Sequence, residues 1–231
     1  MTSNNNDNNK KVDVKSIIVV CLSLVFSIII GVASRDLWLG GTILLTGILS
    51  AYFASIGKRI NYIFGLINYI LMGYVAFNTQ LYGMASFYIV VCAPLQIWGF
   101  INWGKSLEGG RVKSRKFTMK TSVVVILSCL VGSALVGYSL SLIPGERLSF
   151  LDAASNCINL CGIILMNLRY AEAWWVWLAN NVIDSVIWGV LLISGSGSNT
   201  IMMFVTSVAF LAINVYGIAK WTKASKVEGR K

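Results

Sequence analysis

Residues 172–192 read EAWWVWLANNVIDSVIWGVLL. Such a stretch is long enough to cross the ~30 Å hydrocarbon core of a bilayer, which takes about 20 mostly apolar residues. Its middle nevertheless carries two amides and one acid. On a helix that turns by about 100° per residue, five side chains share an arc of about 80°: Trp174, Trp177, Asn181, Asp184 and Trp188. The segment therefore predicts a membrane helix whose polar face points into a bundle of helices.

Seven further apolar runs of similar length accompany this one. Hydrophobic residues make up 56% of the 231 and charged residues 12%, with a mean hydropathy of +0.72. A soluble domain carries about 25% charged residues. The predicted helices, numbered 1 to 8, cover residues 16–34, 41–57, 61–78, 84–104, 121–142, 151–168, 172–192 and 200–221. Because only tails and loops remain, we expect an all-α polytopic membrane protein.

The basic residues predict the orientation. If the amino end is cytoplasmic, all but two of the 19 Lys and Arg residues, Arg35 and Arg147, lie on the cytoplasmic side, where such residues are favoured. We therefore expect an inner-membrane protein with both ends in the cytoplasm, a disordered tail over 1–15, a basic loop over 105–120 and a tail over 223–231. The first run could instead be a signal peptide. Its length and the charged pair that follows it favour a retained helix.

Helices 4 and 8 end on a common pattern: an amide, an apolar residue, an aromatic residue, glycine, three residues, tryptophan, one residue and lysine. It occupies residues 96–105 and again 214–223. Asn68 and Asn180 also fall at similar depths in helices 3 and 7. Two triplets of helices with one helix between them cross the membrane in the same sense. We therefore predict a parallel 3+1+3, SWEET-like repeat, formed by residues 41–104 and 151–222, with the linker at 121–142 and an extra first helix.

Amide side chains recur in the middle of the predicted spans. They are Asn68, Gln96, Asn156, Asn159, Asn180, Asn181 and Asn214. Amides are unfavourable against lipid and face the bundle, where a single one most often bonds a neighbouring helix. A buried acid costs about 3 kcal/mol by insertion scales, so Asp184 is a candidate functional residue, with a bond to another helix as the alternative. Together with Trp174 and Trp177, these residues predict a lined cavity.

The composition excludes several chemistries. The chain has no histidine, and its five cysteines lie in apolar runs without metal-binding spacing. We therefore expect no enzyme activity, no cofactor and no metal; a Ser/Asp pair at 184–185 is the remaining catalytic alternative. The basic residues form no continuous face, so we expect no nucleic-acid partner.

The predicted cavity suits a small, flat, polar solute that carries a positive charge, because tryptophan faces attract cations. An anionic solute would favour buried Arg or Lys, and none falls in the middle of a span. Pro94 frees the carbonyl four residues earlier and can kink helix 4. With Gly99 and Gly217 in the repeated pattern, Pro94 is a candidate hinge for opening the cavity.

Three segments resemble the Pnu family of vitamin transporters. They are the run NYIFGLINYILMGY in helix 3, the run PLQIWGFINW in helix 4, and the spacing of Glu172, Trp174, Trp177 and Asn181 in helix 7. The resemblance covers about residues 40–222. It implies facilitated diffusion of a vitamin precursor such as nicotinamide riboside, trapped inside by phosphorylation, with Trp174, Trp177, Asn181 and Gln96 contacting the solute.

Other members of this family carry thiamine, riboflavin or deoxynucleosides, and these solutes remain alternatives. A further alternative is a substrate-capture subunit of an ATP-driven vitamin importer, which eight spans and a parallel repeat disfavour. The partners expected are the solute and the lipid bilayer. The sequence leaves the oligomeric state open, with a homo-oligomer among the options.

Overall fold

The computed structural model describes residues 14–105, 107–108, 111–112, 114–145, 148–195 and 200–228. These residues form eight helices: α1 Val14–Ala33, α2 Leu39–Ser55, α3 Asn61–Asn78, α4 Tyr82–Gly104, α5 Met119–Ser141, α6 Ser149–Asn167, α7 Ala173–Ile193 and α8 Thr200–Glu228. Within α4, the segment Phe87–Cys92 is a π-helix. Two short strands, β1 Leu107–Glu108 and β2 Arg111–Val112, pair antiparallel in the predicted basic loop.

The all-α prediction is confirmed, and a helix lies at each of the eight predicted positions. The largest difference is at the carboxyl end, where α8 continues past residue 221 to Glu228. This extension is rich in Lys, Ala and Glu, which have good helix propensity. The predicted amino-terminal tail lies outside the described residues up to residue 13, and α1 begins at Val14.

Six of the helices described are long and apolar enough to cross a membrane: α1, α4, α5, α6, α7 and α8. Helix α2 is apolar over a shorter length of 17 residues. Helix α3 has 18 residues and carries several Asn and Tyr side chains. The chain is therefore a multi-pass membrane protein.

Six helices, α2, α3, α4, α6, α7 and α8, form the central bundle. Helix α1 packs on α2, and α5 packs on α6, so both lie at the periphery. Contacts between α2 and α8 and between α4 and α6 join the first half of the bundle to the second. The basic loop is fastened to the connection between α6 and α7, where the N–H of Arg115 donates to the carbonyl of Arg169 at 2.7 Å.

Two clusters of buried side chains pack near opposite ends of the bundle. The first, here called the apolar layer, lies near the start of α2 and includes Ile43, Met72, Leu81, Met84, Trp188, Leu191 and Met203. The second, the tryptophan layer, lies near the end of α2 and is built on Trp103, Trp174 and Trp221, with Ala54, Tyr62 and Met166. The space between these layers is where polar residues collect.

Candidate functional site

A cavity with many polar side chains on its wall lies between the two layers, and α2, α3, α4, α6, α7 and α8 all contribute to this wall. The volume of the cavity, counted as the space that the centre of a water molecule can reach, is about 110 Å³. A site for a single buried water has a volume of only about 10–15 Å³ when it is counted in the same way. The cavity is therefore sized for a solute rather than for one structural water.

Most residues predicted to bind a substrate line this cavity: Asn68, Gln96, Trp177, Asn180, Asn181, Asp184 and Asn214. Trp174 is the exception. It is 0% exposed and lies in the tryptophan layer, where its ring packs edge-on against Trp177 with centroids 5.5 Å apart. Trp174 is therefore a support behind Trp177 and not part of the cavity wall.

Sequence reasoning missed several lining residues, namely Ser50, Asn61, Tyr62, Tyr69, Tyr88, Asn167 and Phe210. Asn159, noted only as a mid-span amide, also lines the cavity. A signal for two of them was present, because Tyr62, Gly65 and Tyr69 recur at helical spacing on the face of α3 that carries Asn68. Tyr88 sits in the π-helical part of α4, where a regular helical wheel does not apply.

The carboxylate of Asp184 is held by two neutral donors. The hydroxyl of Ser155, on α6, donates to Oδ1 in a short hydrogen bond, and Nδ2 of Asn180 donates to Oδ2 at 2.7 Å. Asp184 is 7% exposed. The side chain is thus fixed from two helices while it lines the cavity.

Four buried polar atoms on the cavity wall have no hydrogen-bond partner among the described residues. They are Oη of Tyr62, Oδ1 of Asn167, Oδ1 of Asn180 and Nδ2 of Asn214. Buried polar groups are nearly always paired with protein, water or a ligand. The four residues line the cavity and retain unused hydrogen-bonding capacity, although these atoms themselves are covered by their neighbours.

Other amides on the wall are already bonded within the protein. Nδ2 of Asn68 donates to the carbonyl of Ile43 at 2.7 Å and to Oγ1 of Thr46 at 3.2 Å, which ties α3 to α2. Oδ1 of Asn159 accepts a hydrogen bond from the hydroxyl of Tyr69 at 3.3 Å. Asn68 thus has a structural bond in addition to its place on the wall.

The candidate hinge residues lie next to the cavity and not on its wall. Pro94 lies two residues after the end of the π-helical segment of α4. A Cβ atom at Gly99 would overlap Tyr62 and Asn167, and one at Gly217 would overlap the indole of Trp174. Both glycines therefore allow large side chains to approach the backbone of α4 and α8.

A second buried acid was not expected from the sequence, which places Asp152 at a helix end. The structure leaves it 0% exposed in the first turn of α6, where it accepts a hydrogen bond from Nδ2 of Asn156 at 2.9 Å. Asp152 does not line the cavity. Among the described residues, no group of three or more His, Cys, Asp or Glu side chains could hold a metal ion.

A helical membrane bundle around a solute-sized cavity with many polar side chains on its wall is typical of one class of protein, the membrane transporters of small polar molecules. The sequence comparisons agree with this class. The model of the nicotinamide mononucleotide transporter family matches residues 37–223. The chain belongs to this family.

Named relatives and a solved structure are similar over most of the chain. A nicotinamide riboside transporter PnuC from Neisseria mucosa is 31% identical over 86% of this chain and 77% of its own length. The PnuC of Haemophilus influenzae is 29% identical over 84% of each chain. A crystal structure of the vitamin B3 transporter PnuC superposes with a TM-score of 0.78 at 29% identity, covering 91% of this chain and 92% of its own.

Proposed function

We propose that this protein takes up nicotinamide riboside by facilitated diffusion, as a uniporter. The main support for this proposal is the composition of the cavity wall, which combines aromatic rings, unpaired amide and hydroxyl groups and one carboxylate. Nicotinamide riboside presents the complementary groups, since it has a flat cationic pyridinium ring, a carboxamide and ribose hydroxyls. The relatives from Neisseria mucosa and Haemophilus influenzae are named as transporters of this solute.

The residues of the cavity wall favour the binding of nicotinamide riboside over that of nicotinamide mononucleotide, the solute named in the description of the family. The mononucleotide adds a phosphate, which proteins usually bind through Arg, Lys or the N-terminus of a helix. The described residues of the wall include no Arg and no Lys, and they do include Asp184. A phosphate in this cavity would be desolvated without a cationic partner, so we expect the mononucleotide to bind far more weakly.

Each side chain has a proposed role. Trp177, whose indole lies against Gly162 of α6, stacks on the flat ring. Asn180, Asn181, Asn214 and Gln96 form hydrogen bonds to the carboxamide and the ribose. Asn68 supports the wall from α3 through its hydrogen bonds to α2, and Trp174 acts by holding Trp177 in place.

We further propose that all eight helices cross the membrane. Helices α2 to α4 form the first repeat and α6 to α8 the second; α5 is the linker and α1 lies outside the repeats. The distribution of Lys and Arg supports cytoplasmic ends, and residues 1–15, 105–120 and 223–231 would then be cytoplasmic segments. The pairing of α2 with α8 and of α4 with α6 supports two equivalent halves.

Movement of one repeat against the other would open the cavity to each side in turn. The π-helical segment beside Pro94 lacks regular i to i−4 hydrogen bonds, and it is the proposed hinge of α4. Gly99 and Gly217 let α4 and α8 turn against the rings that lie on them. The solute gradient drives uptake, and phosphorylation in the cytoplasm keeps the inner concentration of the riboside low.

Calorimetry on the detergent-purified protein tests the solute. We expect binding of nicotinamide riboside, much weaker binding of the mononucleotide, thiamine and riboflavin, and loss of riboside binding in Trp177→Ala. Trp38→Ala is the matched control, because Trp38 is 86% exposed and far from the wall. Binding of thiamine or riboflavin instead would move the protein to another branch of vitamin transport.

Transport is tested separately in liposomes that contain only the purified protein. We expect labelled riboside to equilibrate across the membrane without ATP and without an ion gradient. Binding without transport would contradict the uniporter and indicate a capture subunit that needs an ATP-driven partner.

A further inference from the structure

The carboxylate of Asp184 is buried, and no cationic side chain of the described residues is paired with it. Its two hydrogen-bond donors, Ser155 and Asn180, are neutral and leave its charge uncompensated. Two donors on the two oxygens match the acceptor-only character of an ionised carboxylate. An isolated charge in an enclosed site is unfavourable until an opposite charge reaches it.

Among the described side chains of α6 and α8, no basic group approaches this carboxylate. The charged residue of α6 is Asp152, which is buried and has the same sign. On α8 the basic residues whose side chains are described, Lys220 and Lys223, are exposed near its carboxyl end, beside the tryptophan layer. A cation that neutralises Asp184 must therefore come from the cavity itself.

Aromatic rings on the same wall point to a cation as well. Tyr69, Tyr88 and Trp177 line the cavity with Asp184, and the rings of Tyr69 and Tyr88 lie with centroids 5.5 Å apart. Aromatic faces attract cations through their negative quadrupole, most strongly in sites shielded from water. A carboxylate and three rings around one cavity are complementary to a flat organic cation.

We propose that Asp184 selects the charge of the solute, and that Ser155 and Asn180 are positioning residues that hold its carboxylate toward the cavity. This inference rests on the proposed function and adds a consequence to it. The oxidised pyridinium nucleoside is a cation, whereas its reduced dihydropyridine form is neutral and has nearly the same shape and hydrogen-bonding groups. The site therefore admits the oxidised nucleoside in preference to the reduced one.

The test is the ratio of two dissociation constants measured on the same purified protein, for nicotinamide riboside and for dihydronicotinamide riboside. We expect the wild-type protein to bind the oxidised form about tenfold or more tightly, the order expected for one charge pair in a partly screened site. In Asp184→Asn the ratio should fall toward one, through weaker binding of the cation. Asn180 can accommodate this change by turning its amide, since its Oδ1 has no partner among the described residues.

Two further variants separate positioning from folding. Ser155→Ala leaves the acid in place but removes one of its donors, so we expect an intermediate ratio. Ser185→Ala is the matched control, because Ser185 bonds Ser207 and the carbonyl of Asn181 and does not touch Asp184. A variant that still binds the neutral form is folded, so a changed ratio reports charge selection and not general damage.

Each outcome has a separate meaning. Equal affinity of the wild-type protein for both forms, or an unchanged ratio in Asp184→Asn, overturns the charge selection and leaves the proposed function standing. Failure of the wild-type protein to bind either form overturns the proposed function itself.

Discussion

Trp221, near the end of α8, donates its indole N–H to the carbonyl oxygens of Ala54 at 3.2 Å and Ser55 at 3.1 Å. Trp103, near the end of α4, donates in the same way to the carbonyl of Met166 at 3.1 Å. In each case the acceptors lie near the end of the first helix of the opposite proposed repeat. A sequence pattern that occurs twice thus forms the same kind of hydrogen bond twice, at one end of the cavity.

Removing either indole N–H should weaken this end of the bundle. Phenylalanine keeps an aromatic ring at the site and removes the donor. The carbonyls of Ala54 and Met166 each retain a backbone donor, from Gly57 and Arg169 respectively, so we expect each variant to lose about 1–2 kcal/mol of unfolding free energy. We expect Trp103→Phe and Trp221→Phe each to lower the midpoint of thermal unfolding in detergent by at least about 2–4 °C.

The control for these two variants is Trp38→Phe, because Trp38 is exposed. Its midpoint should match that of the wild-type protein. If the two buried variants also unfold at the wild-type temperature, the indole hydrogen bonds do not hold the halves together.

The amides on the cavity wall should fall into two functional groups. Asn68 donates to Ile43 and Thr46, and Asn68→Ala should lower the free energy of unfolding by about 1–3 kcal/mol and change riboside affinity little. Nδ2 of Asn214 has no partner among the described residues. Asn214→Ala should therefore spare stability and weaken riboside binding roughly fivefold, the equivalent of about 1 kcal/mol.

Calorimetry and thermal unfolding on the same two preparations check this division. The reverse pattern, with affinity lost in Asn68→Ala and stability lost in Asn214→Ala, would mean that the solute displaces the bond from Asn68 to α2.

Sequence reasoning found the helices and part of the wall for physical reasons. A membrane span needs a long apolar run, and an amide inside such a run has to face the bundle, so both leave a signal in one dimension. Of the five side chains on the predicted arc of α7, three line the cavity, namely Trp177, Asn181 and Asp184. Trp174 and Trp188 share that arc but lie in the tryptophan layer and the apolar layer. A helical wheel gives the direction of a side chain but not its depth along the helix axis. Trp174 and Trp188 point in the predicted direction but lie at depths outside the cavity.

Tyr88 and Asp152 could not be found in the same way. Tyrosine is common at membrane interfaces, and Tyr88 lies in a π-helical segment where regular helical spacing does not apply. Asp152 lies in the first turn of its helix, a place where acids are usually exposed. Its carboxylate lies directly against Gly83 of α4, which leaves no room there for a side chain, and a contact of that kind depends on the tertiary packing.

Two Gly→Ala variants should distinguish a glycine that is needed for close packing from a glycine that has room for a methyl group. A Cβ at Gly217 overlaps the indole of Trp174, which supports Trp177, so the ring has to move. We expect Gly217→Ala to reduce stability by about 1–3 kcal/mol and to weaken riboside binding. At Gly189 the nearest atom to a Cβ belongs to Phe204 at 3.4 Å. Gly189→Ala should be neutral or stabilising, because Ala favours a helix by about 1 kcal/mol over Gly.

Thermal unfolding and riboside titration of the two variants decide the matter. Equal behaviour of Gly217→Ala and Gly189→Ala would show that Trp174 adjusts without cost, and its supporting role would then have to be abandoned.

The crossing of the membrane by α2 is the step on which the eight-span arrangement depends. At 1.5 Å per residue its 17 residues span about 26 Å, slightly less than the ~30 Å of a typical hydrocarbon core. Trp38 precedes α2, Lys58 follows it, and both are exposed. If α2 crosses, a cysteine at position 38 should react with a charged maleimide in right-side-out vesicles, and one at position 58 only in inside-out vesicles.

The wild-type protein is the control, because its cysteines at 21, 92, 129, 157 and 161 all lie in helices and should stay unlabelled by a reagent that cannot enter lipid. Labelling of Trp38→Cys and Lys58→Cys from the same side would mean that α2 does not cross. The first triplet would then lose a span, and the two halves could no longer be parallel repeats. The cavity would keep its wall, because α2 contributes to it by packing against α3 and α8, but the alternating opening of two equivalent halves would need another explanation.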